Sequence, residues 1–210
     1  MRVSFNEIET TLRKAATGSG FPMGLAEDCG CAAAWLAARN HNGIAAVLDA
    51  IRDGMRKPVM PPADGRDWVF ADARIATCGP SAIGLLVGEP TCHDIHLHNT
   101  DSPLLMLGLA GVAAGDYRLD FALELGARCT ALISANGMSL TGTLPPPGAQ
   151  LFLTFRENGG GETRNTIQMQ GAIVDDGLWQ EALALAAQTY VPASDASRAG
   201  GAGAGLTDND

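Results

Sequence analysis

The chain is short of positive charge: 14 lysines and arginines stand against 23 aspartates and glutamates, giving a net charge of -9 and a pI of about 4.8. Such an acidic balance works against binding a phosphate backbone or an anionic bilayer, so neither nucleic acid nor membrane is expected as a partner. Long hydrophobic runs are missing as well. The most apolar stretch, Pro103 to Ala114, is about a dozen residues, where a membrane-spanning helix needs ~20, so it reads as a buried core helix. After Arg2 the chain meets Glu7 and Glu9 with no apolar run or small-residue cleavage site, which does not resemble a secretory signal. Cysteine is sparse: there are five, an odd number, with no paired C-x-x-C clusters. They are expected to be reduced thiols in a cytoplasmic protein. No serine-nucleophile elbow occurs, since Gly79-Pro80-Ser81 does not fit G-x-S-x-G. Gly201 to Gly205 is neither a Rossmann nor a Walker loop, because no strand leads directly into it and it stops at the chain end. No internal repeat is visible.

What is present is enough for a core: 210 residues, 46% of them hydrophobic, read here as a single domain. Ser4 and Glu7 form a capping-box pair, with Val3 and Ile8 placed as a hydrophobic staple, so a helix should start at Phe5. Thr17 to Gly20 ends it, and Pro22 opens a second helix from Met23 to Arg39, closed by Asn40-His41-Asn42-Gly43. A third should carry Ile44, Val47, Leu48 and Ile51 up to Gly54. Together residues 1–54 form a helical layer, too small to be stable alone and expected to pack on the rest of the chain.

Residues 67–190 read as sheet-rich. Asp67 to Thr77 looks like a strand or hairpin arm, Pro80 to Val87 like a short helix, and Cys92 to His98 like a half-buried strand. Ser102 can cap a central helix with Pro103 at its first position. Alternation from Tyr117 to Leu125 is the strongest strand signal in the chain. Arg128 to Ser134 and Met138 to Thr143 flank Asn136-Gly137, a pair suited to the positive φ of a tight hairpin turn. Leu151, Leu153 and Phe155 then face Ile167 and Met169 across Gly159 to Gly161, which makes a meander of about five antiparallel strands. Asp175 leads a last helix that reaches Gln188, and 191–210 form a glycine-rich tail. The class expected is α+β: a helical N-terminal layer on a mainly antiparallel mixed sheet, with one buried central helix and a C-terminal helix.

The sharpest cluster is His93-Asp94-Ile95-His96-Leu97-His98, where strand alternation puts Asp94, His96 and His98 on one face and Asp101 lies shortly after. Imidazoles and a carboxylate on one face are the donor set of a zinc-like divalent ion, which would activate water for hydrolysis. The plainer account is a solvated strand face rich in histidine, because a metal site usually draws ligands from other elements. Cys29 and Cys31 lie two apart on a predicted helix, so they point about 200 degrees apart and read as buried small residues. The tail is expected to be disordered or, alternatively, to thread a groove and bring Asp208 and Asp210 to a basic pocket near Arg198.

The run Leu12 to Leu36, with Gly20-Phe21-Pro22-Met23-Gly24-Leu25-Ala26-Glu27, resembles a bacterial family catalogued as domain of unknown function 3726. So do Asp101-Ser102-Pro103-Leu104-Leu105, Thr189 to Ser194, Ser197-Arg198 and the ending Gly201 to Asp210. The histidine stretch ahead of Asp101 is not part of the resemblance, which implies no activity, cofactor or substrate. Absent catalytic motifs and an acidic surface point to a non-catalytic binding or assembly protein, expected to be a homo-oligomer. The alternative is a small metal-dependent hydrolase using the His96 and His98 face.

Overall fold

A computed structural model describes residues 1–56, 67–89, 92, 94–156 and 170–190. Helix α1 (Phe5–Gly18) begins where the capping box demands: the Glu7 amide donates to Ser4 Oγ at 3.2 Å, and the Ser4 amide donates to the Glu7 carboxylate at 2.9 Å. Helix α2 (Met23–Ala37) runs slightly shorter than expected, and Asn40 turns the chain with a φ of +62°. In α3 (Gly43–Ile51) the N-cap is Asn42, whose side chain accepts from the Ala45 amide at 3.1 Å. Gly43 is required by proximity. A Cβ there would run into the Ala33 carbonyl and Cα of α2, so only hydrogen lets the two helices approach.

Four sequence expectations give way to the tertiary structure. The segment after strand β2 (Asp67–Phe70) is not a hairpin arm but the start of α4 (Ile75–Gly88), which carries Pro80 inside it. Pro80 is the sixth residue of α4 and removes the amide that would have reached the Ala76 carbonyl, so local sequence argues against a helix that tertiary packing nevertheless holds. Tyr117 is not in a strand either: it ends the helix α5 (Pro103–Tyr117), and Arg118, with φ +56°, turns the chain into β4 (Asp120–Leu125). Ser102 does not cap α5 with its side chain; its hydroxyl donates to the buried Ala46 carbonyl of α3 at 2.8 Å. In the hairpin of β5 (Cys129–Ser134) and β6 (Gly137–Gly142), Ser134 pairs with Gly137. The two-residue turn is therefore Ala135-Asn136, neither of which has a positive φ.

The sheet departs from a simple meander. Its six strands run in the order β2, β3, β7, β4, β5, β6, with β3 at Asp94–Thr100 and β7 at Ala149–Arg156. Strands β4 to β6 form the meander, β2 and β3 are parallel, and β7 is inserted antiparallel between β3 and β4. The expected partners of β7, Ile167 and Met169, lie outside the described residues, as does Gly159 to Gly161. A further two-stranded pairing escapes sequence reading because each strand is two residues long: β1 (Arg2–Val3) with β8 (Ala172–Ile173). Helix α6 (Asp176–Ala187) comes next, capped by Asp175 on the Leu178 amide at 3.0 Å, and packs along α1. The α+β class and the mixed, mainly antiparallel sheet are as expected.

The core is organised by α5, which has no polar side. It packs on α2, α3 and α4 on one flank and on β4 and β5 on the other. Leu105, Met106, Leu107, Ala110 and Ala114 are fully enclosed. At ~25 cal/mol per Å² of apolar surface, each such leucine or methionine stabilises the fold by roughly 1.5–3 kcal/mol.

These contacts make the glycines unequal. Gly43→Ala is expected to destabilise the protein by about 1–3 kcal/mol through overpacking against α2. Gly24→Ala, where an added Cβ meets nothing, should instead stabilise by up to about 1 kcal/mol. Urea titration of both variants checks the opposite signs.

Candidate ligand-binding cleft

The chain between β2 and α4 is laced to the end of β3. The Ala73 amide donates to the His98 carbonyl at 2.9 Å, and the Asp101 amide donates to the Ala73 carbonyl at 3.3 Å. Arg74 is the N-cap of α4 but has no side-chain acceptor to offer the helix. Asp101 supplies one from across the fold, its Oδ1 accepting from the Ile75 amide at 2.9 Å. Burial pushes the Asp101 carboxyl up, opposed first by that hydrogen bond and then by the charge of Arg74.

Around this junction lies an open hollow of about 540 Å³ lined by Asp49, Arg52 and Asp53 of the α3 end, Arg74, Asn99 to Asp101, and Pro147-Gly148. A narrow inward recess shares Asp49, Asp53, Arg74 and Asp101 and adds Phe21, Arg56 and Thr77. The backbone is shaped to open it: Asn99 and Gly148 have φ values of +50° and +93°. Asn99 donates to Asp72 at 2.8 Å, and Arg74 reaches the same carboxylate at 3.3 Å. Arg52 pairs with Asp49 at 3.1 Å and Glu181 at 3.7 Å, and Arg56 with Asp53 at 3.5 Å. Exposed pairs of this kind are worth ~0–1 kcal/mol each and are easily exchanged. The Nε of Arg74 is enclosed and has no hydrogen-bond partner among the described residues.

A second hollow of about 280 Å³ opens between Asn40 to Ile44 and Ala172 to Asp175. His41 lines it, its imidazole pushed down by burial and by the nearby Arg39. Elsewhere the thiols of Cys29 and Cys78 are pushed up to about 12, in both cases mainly by burial. They stay protonated and inert, in keeping with the small-residue reading of Cys29.

The residues singled out by sequence are only partly brought together. Asp94, His96 and His98 do share one face of β3, with Ile95 and Leu97 fully buried on the other. The His96 and His98 rings lie 6.4 Å apart, and His96 packs edge-on against Phe152 at 4.6 Å. Asp101 is turned instead to the N-terminus of α4. Among the described residues no three His, Cys, Asp or Glu side chains are grouped so as to hold a metal ion. Arg198, Asp208 and Asp210 lie outside the described residues. Sequence reading missed Arg52, Arg74 and Asn99. No local signal marks them, since they come from three elements joined only by the fold.

Residues 3–77 match the model of a family described as protein of unknown function DUF3726, so the N-terminal resemblance holds over that span. No curated protein matches the chain. Among solved structures, the malate dehydrogenase of Entamoeba histolytica is similar at 11% identity and a TM-score of 0.52, covering 70% of this chain and 50% of that one. That of Pyrococcus horikoshii OT3 is 13% identical, with a TM-score of 0.49 and coverages of 70% and 52%. The chain thus spans about half the length of the solved structures it matches. At such identity the likeness is one of fold alone.

The buried carboxyl of Asp101 sets a pH dependence. Because it holds its proton to higher pH folded than unfolded, the native state binds more protons across that window, and this group costs stability as pH rises through it. Asp101→Asn keeps an acceptor for the Ile75 amide and removes the charge. Its thermal midpoint relative to the parent protein should climb as pH rises above the ordinary aspartate range; a difference flat in pH would show that burial does not govern this carboxyl.

Proposed function

We propose that the protein is a binding module for a small carboxylate-bearing molecule, held in the cleft at the N-terminus of α4. One observation carries this reading. Arg74 stands at that helix end with an enclosed Nε that has no partner among the described residues, and a 3.3 Å contact to Asp72. An unsatisfied buried donor costs about 1–3 kcal/mol, and a ligand carboxylate that draws the guanidinium into a full fork would relieve it. The helix end adds its partial positive charge. Arg52 and Asn99 supply further donors around the hollow, and Asp49, Asp53 and Asp101 supply acceptors for hydroxyl or amino groups.

Binding rather than catalysis fits this chemistry, because the groups lining the cleft are donors and carboxylates already engaged with neighbours, and the buried thiols are protonated. The shared fold with a malate dehydrogenase makes malate, a dicarboxylate, the natural first probe, without transferring that enzyme's activity.

Calorimetric and thermal-shift titration with malate and other short-chain mono- and dicarboxylates tests the proposal. A ligand at 100 times its Kd should stabilise the protein by about 2.7 kcal/mol. Arg74→Ala should abolish the effect, and Arg74→Lys should weaken it because the planar fork is lost. If no carboxylate binds saturably, or binding survives Arg74→Ala, the proposal fails.

A further inference from the structure

The charges of the Arg74 cleft are unequally matched. Asp49 pairs with Arg52, Asp53 with Arg56 and Asp72 with Arg74, whereas Asp101 has no ion pair among the described residues. Its Oδ1 accepts from the Ile75 amide at 2.9 Å, which is a neutral donor. Arg74, the residue before Ile75, carries the complementary defect: its Nε is enclosed and has no partner among the described residues. A carboxylate without a countercharge and a guanidinium with a spare donor thus meet at neighbouring positions, and both line the outer hollow and the inward recess.

The recess decides which charge can enter it. It holds about 20 Å³ and is bordered by Asp49, Asp53 and Asp101 against Arg56 and Arg74. One water needs at least ~10–15 Å³ by the same measure, so the recess admits a single water-sized group. An ammonium head has that size, and a carboxylate or guanidinium does not. The excess of carboxylates along the walls favours a cation there as well.

We infer that the cleft selects an α-amino acid, an inference that rests on the carboxylate-binding reading above: the ammonium enters the recess beside Asp101, and the carboxylate lies at its mouth on Arg74. The two charges of such a ligand sit on either side of one carbon. Their receptors are spaced to match, since Arg74 is one and the other is clamped to the amide of the next residue. The ligand's side chain lies in the hollow of about 540 Å³, which Arg52 and Asn99 border. Burial pushes the Asp101 carboxyl up, and a bound ammonium supplies the countercharge that keeps it ionised. A hydroxyl in the same place donates a hydrogen bond without the charge, and the bond is weaker for it.

Isothermal titration of the full chain with two matched pairs isolates the ammonium: L-alanine against L-lactate, and L-aspartate against L-malate. Each amino acid is expected to bind about tenfold tighter than its hydroxy acid, or more. That ratio is read on the parent protein and needs no variant. Asp101→Asn keeps an acceptor for the Ile75 amide and removes the charge, so it should weaken amino-acid binding about tenfold and bring the members of each pair to similar affinities. A cooperative thermal transition shows that the variant is folded. Hydroxy acids that bind as tightly as their amino counterparts, or a preference that survives Asp101→Asn, would overturn the inference and leave the carboxylate-binding reading standing. Saturable binding by none of these compounds would overturn both.

Discussion

A helix with no polar face cannot lie on a surface, and α5 imposes that constraint on everything around it. Buried along most of its length, it is closed in by helices on one flank and by a sheet on the other. The close approach is visible at two of its glycines. A Cβ at Gly108 would press into Leu36 and the Ala32 carbonyl of α2, and one at Gly111 would strike the Trp35 ring. Trp35 is held in turn by Arg39, whose guanidinium carbon lies 3.8 Å from the ring centroid. The N-terminal helical layer and the sheet are thus one packing problem, solved around a single rod.

The ends of that rod are where polar chemistry collects. A fully apolar helix still presents unpaired amides at its start and carbonyls at its finish. Just ahead of α5, Ser102 ties back to α3 through the Ala46 carbonyl and Asp101 caps α4. Two consecutive residues therefore join three helices, and Asp101 also lines the Arg74 cleft. At the far end, Asp116 and Tyr117 meet Asp28 of α2 and the wall of α4. The macrodipole has the sign that suits a carboxylate near the Arg74 cleft. Strand β3, by contrast, offers histidines on a half-open face but no converging third ligand among the described residues.

Much of the architecture is legible because it is local. The capping box at Ser4, the uninterrupted apolar run from Pro103, and the alternation through Phe121, Leu123 and Leu125 each encode an element within a few residues. Where two signals compete, local reading fails. Tyr117 continues the alternating pattern of β4, yet it lies exposed in the last turn of α5, and the left-handed Arg118 turns the chain before β4 begins. Ser102 has the type of a cap, yet its buried hydroxyl finds its partner in the Ala46 carbonyl of α3.

Periodicity, capping and hydropathy over short windows were enough to establish the α+β class, the helical front, the buried central helix and the inertness expected of Cys29. Long-range packing decided that β7 enters between β3 and β4, that Asp101 serves α4 rather than the histidines, and that Arg52, Arg74 and Asn99 line one hollow. Those outcomes depend on pairings between residues far apart in the chain. Strand order, borrowed caps and clefts are settled by which buried polar groups find partners once α5 is enclosed, and no window along the sequence contains that competition.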